Sequence, residues 1–236
     1  MLRYFLSRKK IFRMFLKSYI MLFMKLYISD LHFYHDALIE RLDKRDFPDG
    51  KAMNRCMIDR WNSKVKGGDT VIVLGDFFGT KNADEVNWIL NRLSGKICLI
   101  EGNHDSVWLK REGVNLNRFE WIKPYAEFDD HDYTVIVSHY PVFCYNHQHL
   151  RKSDGSHRTY MLYGHVHNSY DEQLVNKFQT ITRNTIVTNA QDITDNIPCH
   201  MINCFCMFSN YTPLSLPEWI MLDEKRRVAL NDGDKL

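Results

Sequence analysis

Five short apolar runs of this chain each end in side chains that can bind a metal ion or a proton. The runs occupy residues 25–29, 70–74, 96–101, 133–138 and 160–163. The side chains that follow them are carboxylates, imidazoles and one carboxamide: Asp30, His32, Asp76, Asn103, His139, His165 and His167. Short runs rich in β-branched and aromatic residues predict buried strands. The pattern therefore restricts the chain to folds in which several strand ends can meet.

The segments between the first three runs predict helices. Residues 51–66 and 82–93 carry apolar side chains at spacings of three and four, for example Val86 and Ile89. Strands that alternate with helices predict βαβ units and a sheet that is covered on both faces. In such sheets, ligands bind beyond the carboxyl ends of the strands. The later runs lack a strong helix between them, and together with residues 119–128 they predict a second, more antiparallel sheet.

The spacing within the motifs adds specificity. A single aspartate after a strand is usually a cap or turn residue, and a single histidine is usually not a ligand. The pairs Asp30 with His32 and His165 with His167 are two residues apart, which places both partners on one side of an extended segment. Carboxylate and neutral imidazole are ligands of first-row transition metals. Three glycines next to the motifs allow sharp turns or close backbone approach: Gly75, Gly102 and Gly164.

The composition is that of an ordinary globular protein. Of the 236 residues, 44% are hydrophobic and 25% are charged, which argues against intrinsic disorder and against a polytopic membrane protein. The length suggests one domain. A formal net charge of +2 lacks the basic excess of a nucleic-acid-binding protein. Six scattered cysteines favour reduced thiols and a cytoplasmic protein over a disulfide framework.

The first 23 residues differ from the rest of the chain. They contain six basic residues and no acidic one, and the apolar run at residues 19–24 is too short to cross a bilayer. Two interpretations remain open: a helix on an anionic membrane surface, or an upstream extension of a protein that starts at Met24. Removing these six from the 31 Lys+Arg leaves 25 against 29 Asp+Glu, so the basic character belongs to this leader.

The sequence beyond the last motif is less informative. Residues 171–183 have a helical pattern, and the apolar residues 201–208 predict a strand. Residues 216–219 predict a turn into a short helix, and residues 223–236 are charged enough to fray. We therefore divide the chain into the leader 1–23, a main domain 24–222 and a charged tail 223–236.

Taken in order, the motifs DxH, GD, GNHD, H and GHxH resemble those of the calcineurin-like metallophosphoesterase superfamily. The chain is most similar to small bacterial and phage members that open with SDxHFxH and contain HYP and YGHVH, here at residues 29–35, 139–141 and 163–167. Tyr34 stands where those relatives often have glycine. The resemblance implies a four-layer αββα sandwich of two mixed sheets, with a metal site at the carboxyl edge of the strands.

The resemblance implies a pair of divalent metal ions held by the motif residues. It places Asp30, His32 and His167 on the first ion, Asn103, His139 and His165 on the second, and Asp76 between the two. All these positions carry the family's residue types, which disfavours a protein that has lost its metals. Manganese, iron, zinc and nickel all suit histidine and carboxylate ligands, and manganese is the best candidate in vitro.

The implied reaction is hydrolysis of a phosphoester by a metal-bound hydroxide. Two divalent ions about 3.5–4 Å apart can clamp phosphoryl oxygens and lower the pKa of a bound water. The resemblance gives His104 the position of a general acid near the leaving group, with Asp105 as the residue that orients it. We expect a small phosphodiester or phosphomonoester as substrate, with nucleotides among the candidates. The alternative is a non-catalytic interaction module on the same fold.

Residues 143–160, between two of the ligand motifs, are rich in histidine and arginine. One interpretation is a solvated loop whose charges are incidental. The other is a rim that contacts the substrate's phosphate, because guanidinium groups bind phosphoryl oxygens bidentately. The candidates for substrate binding are His147, Arg151 and Arg158 from this segment and His35 from the first motif.

Overall fold

A computed structural model describes residues 23–188, 192 and 194–233 of the protein. Apart from Phe23, the leader lies outside the described residues, and so do both interpretations of it. Within these ranges, no helix is both long enough and apolar enough to span a membrane.

The first sheet consists of parallel strands in chain order. They are β1 (Lys25–Ile28), β2 (Thr70–Val73), β3 (Lys96–Ile100) and β4 (Phe119–Lys123). Ile28 pairs with Val73, and Val73 pairs with Leu99, so these strands end level with one another. The sequences of β1, β2 and β3 are nearly continuous apolar runs because these parallel strands are buried on both faces, whereas β4 at the edge is only partly buried. The predicted βαβ arrangement is confirmed.

Helices cover the outer face of this sheet. They are α1 (Ala37–Glu40), α2 (Gly50–Lys64), α3 (Ala83–Leu90) and α4 (Ser106–Leu109), followed by a 3₁₀ turn at Leu116–Arg118. The carboxylate of Asp49 caps α2 by accepting a 2.7 Å hydrogen bond from the backbone N–H of Ala52. The apolar faces of α2 and α3 enter one buried cluster with the strands: Met53, Met57, Trp61, Val86, Ile89 and Leu90.

The second sheet is mixed, and its strands are separated in sequence by a helix and a small hairpin. The elements are β5 (Tyr125–Asp130), β6 (Tyr133–Ser138), β7 (Thr159–Tyr163), α5 (Tyr170–Asn184), the hairpin β8 (Ile186–Thr188) with β9 (Thr194–Asn196), and β10 (Met201–Asn203). The sheet order is β10-β7-β6-β5. Strand β5 is antiparallel to β6, whereas β6, β7 and β10 are parallel. The helix expected at residues 171–183 is confirmed as α5.

The sequence predicted that residues 119–128 belong to the second sheet, but they are divided between the two sheets. They supply β4 to the first sheet and most of β5 to the second, with Pro124 between the two. Proline cannot donate a ladder hydrogen bond, so it suits the point at which the chain leaves one sheet for the other. The second sheet is also less antiparallel than expected, because the long connection after β6 returns the chain and makes β7 parallel to it.

Alternate side chains of each strand enter different buried clusters, which produces four layers. Leu26 and Ile28 pack in the cluster that contains α2 and α3, whereas Tyr27 packs between the two sheets. In β6, Val135 packs between the sheets and Ile136 packs in the cluster that contains residues of α5. The alternation follows the two-residue repeat of a strand. The expected αββα sandwich is confirmed.

The segment after β10 joins the two sheets. The strand expected at residues 201–208 ends at Asn203, and the next residues turn so that Phe205 forms a parallel bridge with Ser29. Leu214 then forms an antiparallel bridge with Tyr27 at the edge of the first sheet, which is otherwise parallel. These bridges place the turn beside the carboxyl end of β1.

The last helix is longer than the sequence suggested. Helix α6 (Leu216–Gly233) continues through much of the segment that was expected to fray. It is held by Trp219, which is fully buried between the sheets and donates a 2.8 Å hydrogen bond from its indole N–H to the carbonyl of Tyr27. Asp223 is also buried and pairs with Arg227 at 2.6 Å. Tertiary packing therefore stabilises a helix whose charged sequence favours fraying.

We expect Trp219→Ala to lower the free energy of unfolding by about 3–5 kcal/mol, because it leaves a large cavity and removes one of the two hydrogen bonds to the carbonyl of Tyr27. Urea unfolding followed by circular dichroism measures this loss. Met221→Ala is the control, since Met221 lies on the same helix and is 56% exposed. Equally small losses of unfolding free energy in both variants would contradict the conclusion that Trp219 anchors α6 in the core.

Candidate metal centre

The ends of five strands meet at one edge of the molecule. Strands β1, β2 and β3 end level in the first sheet, and β6 and β7 end level in the second. The sheets are connected there by the backbone N–H of His165, which donates to both carboxylate oxygens of Asp30 at 3.0 and 3.1 Å. The seven residues named from the sequence are brought together at this edge.

Five of the seven have a left-handed backbone that residues other than glycine rarely adopt. Their φ angles lie between 48° and 70°: Asp30, His32, Asp76, His165 and His167. Each such residue costs on the order of 1–3 kcal/mol and persists only where its surroundings enforce it. Here the backbone N–H of Asp30 donates to the carbonyl of Gly75 at 3.1 Å, and that of His32 to the carbonyl of Asp76 at 2.9 Å. Strain of this kind clusters at functional sites.

Two glycines leave room for the ligand side chains. Gly75 has φ of +91°, and a Cβ at this position would lie 2.3 Å from Nδ1 of His139. A Cβ on Gly164 would lie 2.5 Å from Oδ2 of Asp30. Any larger residue at either position would displace a side chain of the site. The close approach predicted from the sequence is confirmed for these two positions.

The carboxylate of Asp76 lies between two histidines. Its Oδ2 is 3.5 Å from Nε2 of His32 and 3.5 Å from Nε2 of His139. Its Oδ1 accepts a 2.8 Å hydrogen bond from the backbone N–H of His104. One oxygen is thus held by the backbone, and the other faces imidazole nitrogens from both sheets.

His139 is held by the backbone just after β2. Its Nδ1 lies 2.8 Å from the carbonyl of Leu74, which can only accept, so Nδ1 donates and Nε2 is left to face the other side chains of the site. This Nε2 is 2.9 Å from Oδ1 of Asn103, and the same oxygen is 3.0 Å from Nδ1 of His165. A histidine fixed in this way by a backbone carbonyl is typical of metal ligands.

The imidazole of His167 lies between two carboxylates. Its Nδ1 lies 2.6 Å from Oδ1 of Asp43, and its Nε2 lies 3.5 Å from Oδ1 of Asp30. Burial by itself lowers the pKa of His167, but the two carboxylates outweigh it and raise the pKa to about 9. For Asp30 the effects have the opposite sign. Burial raises its pKa, but the hydrogen bond and charge of His167 hold the pKa below its usual range.

Asp43 and Arg45 were not identified from the sequence. The buried guanidinium of Arg45 pairs with Asp43 at 2.8 Å and donates to the backbone carbonyls of Asp30 and Leu31 at 2.9 and 2.8 Å. It therefore neutralises the carboxylate that orients His167 and also holds the loop that contains Asp30. The two residues follow α1 in a loop without a recognisable motif, so nothing in the local sequence distinguishes them.

The donor set fits divalent metal ions. The ligand atoms of Asp30, His32 and His167 lie within 4.8 Å of one another, and so do those of Asp30, Asp76 and His139. Among the described residues, Nε2 of His32 is buried without a hydrogen-bond partner, and burial lowers the pKa of this imidazole well below its usual value. A cation would satisfy both this neutral imidazole nitrogen and the buried carboxylates that it faces.

Asp105 does not orient His104, which corrects the role expected from the resemblance. Its carboxylate accepts four hydrogen bonds of 2.8–2.9 Å, from the backbone N–H groups of Asp76, Phe77 and Gly102 and from the indole of Trp108. Asp105 therefore fixes the loops after β2 and β3. The side chain of His104 is about half exposed, with Nε2 at 4.0 Å from Oδ2 of Asp76.

Of the four residues expected to bind substrate, His35 lies in the site. Its Nδ1 is 3.3 Å from Nδ1 of His32, and it lines the same cleft. The other three are elsewhere: Arg151 pairs with Asp195, Arg158 pairs with Asp129 at 3.4 Å, and His147 lies 3.8 Å from Glu127.

The strand topology explains why Arg151, Arg158 and His147 lie away from the site. Because β6 and β7 are parallel, the connection between them must leave the ligand edge and return to the opposite edge before β7 begins. Arg158 immediately precedes β7, so it lies at the end of the strand opposite His165. Residues 143–160 thus pass away from the site, and the expected phosphate-binding rim is not formed by Arg151 and Arg158.

The candidate ligands open into a cleft of about 550 Å³. Its polar residues include His32, His35, Asp76, Asn103, His104, His165 and His167. His139 and Asp30 lie behind them, each with 0% exposure. A small molecule in this cleft would contact imidazole, carboxylate and carboxamide groups from both sheets.

We expect Asp105→Asn to lower the free energy of unfolding by about 2–4 kcal/mol, because an amide NH₂ would replace an oxygen that accepts two buried hydrogen bonds. Chemical denaturation measures the effect. Asp59→Asn is the matched control, since Asp59 is exposed on α2. A variant as stable as the control would show that the hydrogen bonds to Asp105 do not hold these loops.

Comparisons with known proteins agree with this architecture. An uncharacterized protein of Methanocaldococcus jannaschii is 35% identical over 96 residues, which are 40% of this chain and 54% of that protein. The match thus spans about half the length of this relative. A crystal structure of a protein of unknown function from Aquifex aeolicus superposes with a TM-score of 0.57 at 22% identity, covering 84% of this chain and 98% of the other. This second similarity shows the fold.

The family follows from a sequence profile that spans the strand-end motifs. The profile describes the calcineurin-like phosphoesterase superfamily domain and matches residues 24–190. This range contains all seven candidate ligands, and the αββα layers described above are those the family implies. The chain therefore belongs to the calcineurin-like phosphoesterase superfamily.

Proposed function

We propose that the protein is a metal-dependent hydrolase of small phosphodiesters or phosphomonoesters. The observation that carries this proposal is the position of Asp76, whose Oδ2 lies 3.5 Å from an imidazole nitrogen on each side. The two histidines belong to two potential metal-binding groups that share Asp30. Such an arrangement suits two neighbouring cations with a carboxylate between them.

The ligand assignment is the one that the resemblance implies, and its first set coincides with one of these groups. Asp30, His32 and His167 would hold one ion, and Asn103, His139 and His165 would hold the other, with Asp76 between them. Support comes from Nε2 of His32, which has no hydrogen-bond partner among the described residues, and from Nε2 of His139, which faces Asp76 and Asn103 while Nδ1 donates to the carbonyl of Leu74. Manganese is the metal we propose for assays, because this ligand set accepts several divalent ions.

A bound pair of divalent ions would neutralise phosphoryl oxygens and supply an activated water. In hydrolysis a water oxygen forms the new bond to phosphorus, the ester P–O bond breaks, and the departing alcohol takes a proton. His104 is suited to deliver that proton, because its half-exposed imidazole lines the cleft beside Asp76. His35, next to His32, would contact the phosphoryl group.

Metal binding tests the ligand assignment. We expect manganese at about 100 times its Kd to stabilise the protein by about 2.7 kcal/mol, and Asp76→Asn to lose most of this gain because it removes a ligand charge. Calorimetric titration and thermal unfolding of chelator-treated protein measure both. Asp171→Asn is the control, since Asp171 lines the same cleft outside the two metal-binding groups. Unchanged metal affinity in Asp76→Asn would contradict the assignment.

Turnover tests the role of His104. We expect His104→Ala to keep its metals and to lower kcat for an alkyl phosphoester by about 10²–10⁴, with a smaller loss for 4-nitrophenyl phosphate, whose leaving group needs no proton. The control is His131→Ala, since the side chain of His131 is 59% exposed beside Asp130. Equal losses on both esters would rule out proton donation by His104.

Hydrolysis of bis-4-nitrophenyl phosphate and 4-nitrophenyl phosphate with added manganese separates the enzyme from the non-catalytic alternative. A phosphodiesterase turns over the first ester faster and a phosphatase the second. A protein that neither binds metal nor hydrolyses either ester would overturn the proposed function.

A further inference from the structure

The cleft beside the candidate ligands has an apolar wall. Six of its lining residues carry apolar side chains: Leu38, Leu42, Val166, Phe205, Met207 and Phe208. They come from α1 and the loop after it, from the GHVH motif, and from the turn that follows β10. Three separate parts of the fold thus contribute apolar surface to a cleft whose other residues are polar.

The wall begins at the candidate metal centre itself. The ring of Phe205 stacks on that of His167 with the centroids 4.6 Å apart, and Phe208 meets Phe205 edge to face at 5.3 Å. Arg226 lies over the ring of Phe208 at 3.2 Å and is paired with Glu172 at 3.4 Å. Phe205 itself is buried, so the accessible apolar surface begins with the half-buried Met207 and Phe208, one ring away from a ligand candidate.

Leu42 extends this wall into solvent. Its side chain is 77% exposed although it lines the cleft. A single exposed leucine is unremarkable, but one that continues a buried aromatic cluster next to a polar site provides area that a ligand can cover.

Charges around the cleft disfavour a second anionic group on the ligand. Asp171, an exposed carboxylate in the first turn of α5, lines the cleft. The nearby guanidinium of Arg45 is committed to Asp43, and that of Arg226, which lies against Phe208, is paired with Glu172 and Asp223. Those of Arg151 and Arg158 are paired elsewhere. A polyphosphate would therefore place its extra charges against carboxylate and apolar surface.

We propose that the cleft selects phosphoesters whose organic group is uncharged and apolar or aromatic. This inference rests on the proposed function: the phosphoryl group occupies the cluster of candidate ligands, and the organic group covers the accessible apolar residues Met207, Phe208 and Leu42. Each methylene buried on the wall raises affinity by about fourfold. The preference concerns the group that stays on phosphorus as well as the leaving alcohol.

Two diesters with one leaving group test this selectivity in the manganese-loaded full-length protein. We expect kcat/KM for 4-nitrophenyl phenyl phosphate to exceed that for 4-nitrophenyl methyl phosphate by about tenfold or more. Binding gives a second readout that does not require turnover. Calorimetry should show phenylphosphonate binding about tenfold more tightly than methylphosphonate.

Leu42→Ser should lower both phenyl-to-methyl ratios by about threefold, because it removes apolar area from the wall. Ile181→Ser is the matched control and should leave the ratios unchanged, since Ile181 is 68% exposed on α5 and is not among the residues lining the cleft. Equal ratios in Leu42→Ser and the wild type would overturn the part assigned to Leu42.

The outcomes separate this inference from the proposed function. Equal rates for both esters, with equal affinity for both phosphonates, would overturn the selectivity and leave the hydrolase standing. Preference for phenylphosphonate without hydrolysis of either ester would support the apolar wall and overturn the proposed function.

Discussion

Two carboxylates with almost no exposure, Asp30 and Asp76, lie where the two sheets meet, and the structure around them is arranged to accommodate their charge. A buried carboxylate is costly unless it is paired or hydrogen-bonded. Asp30 accepts hydrogen bonds from the backbone of His165 and faces His167, which retains a proton because its pKa is raised to about 9. Asp76 accepts from the backbone of His104 and faces two imidazoles. These contacts also connect the sheets.

Behind this layer a second set of charges fixes the loops. Arg45 holds the carbonyls after β1 and neutralises Asp43, while Asp105 gathers the backbone N–H groups after β2 and β3. Left-handed backbone at several of the candidate ligands is maintained by such contacts rather than by local preference. These contacts hold the strand-end side chains in one arrangement, and the chemistry that we propose requires such positioning.

Much of this could be predicted from local sequence. Apolar runs followed by Asp, Asn or His indicated parallel strands with ligands at their carboxyl ends, because a parallel register brings those ends to one edge. The αββα layers were expected from the resemblance of the motifs, and the two-residue repeat of the strands explains how each strand serves two layers. Sequence-based prediction failed where the position of one segment depends on another segment far along the chain. Residues 119–128 belong to two sheets, and Arg151 and Arg158 lie away from the ligand edge.

The sequence by itself determined the family, the layered fold and the set of residues at the strand ends, because these depend on patterns within a few residues of one another. Only the tertiary structure decided that Asp105 binds backbone N–H groups and not the side chain of His104, and that Arg45 and Asp43 support His167. It also decided that Leu42, Met207 and Phe208 line the same cleft beside the site. These roles arise from contacts between segments far apart in the chain. The direction of a side chain towards a distant loop is fixed by packing, which no local spacing encodes.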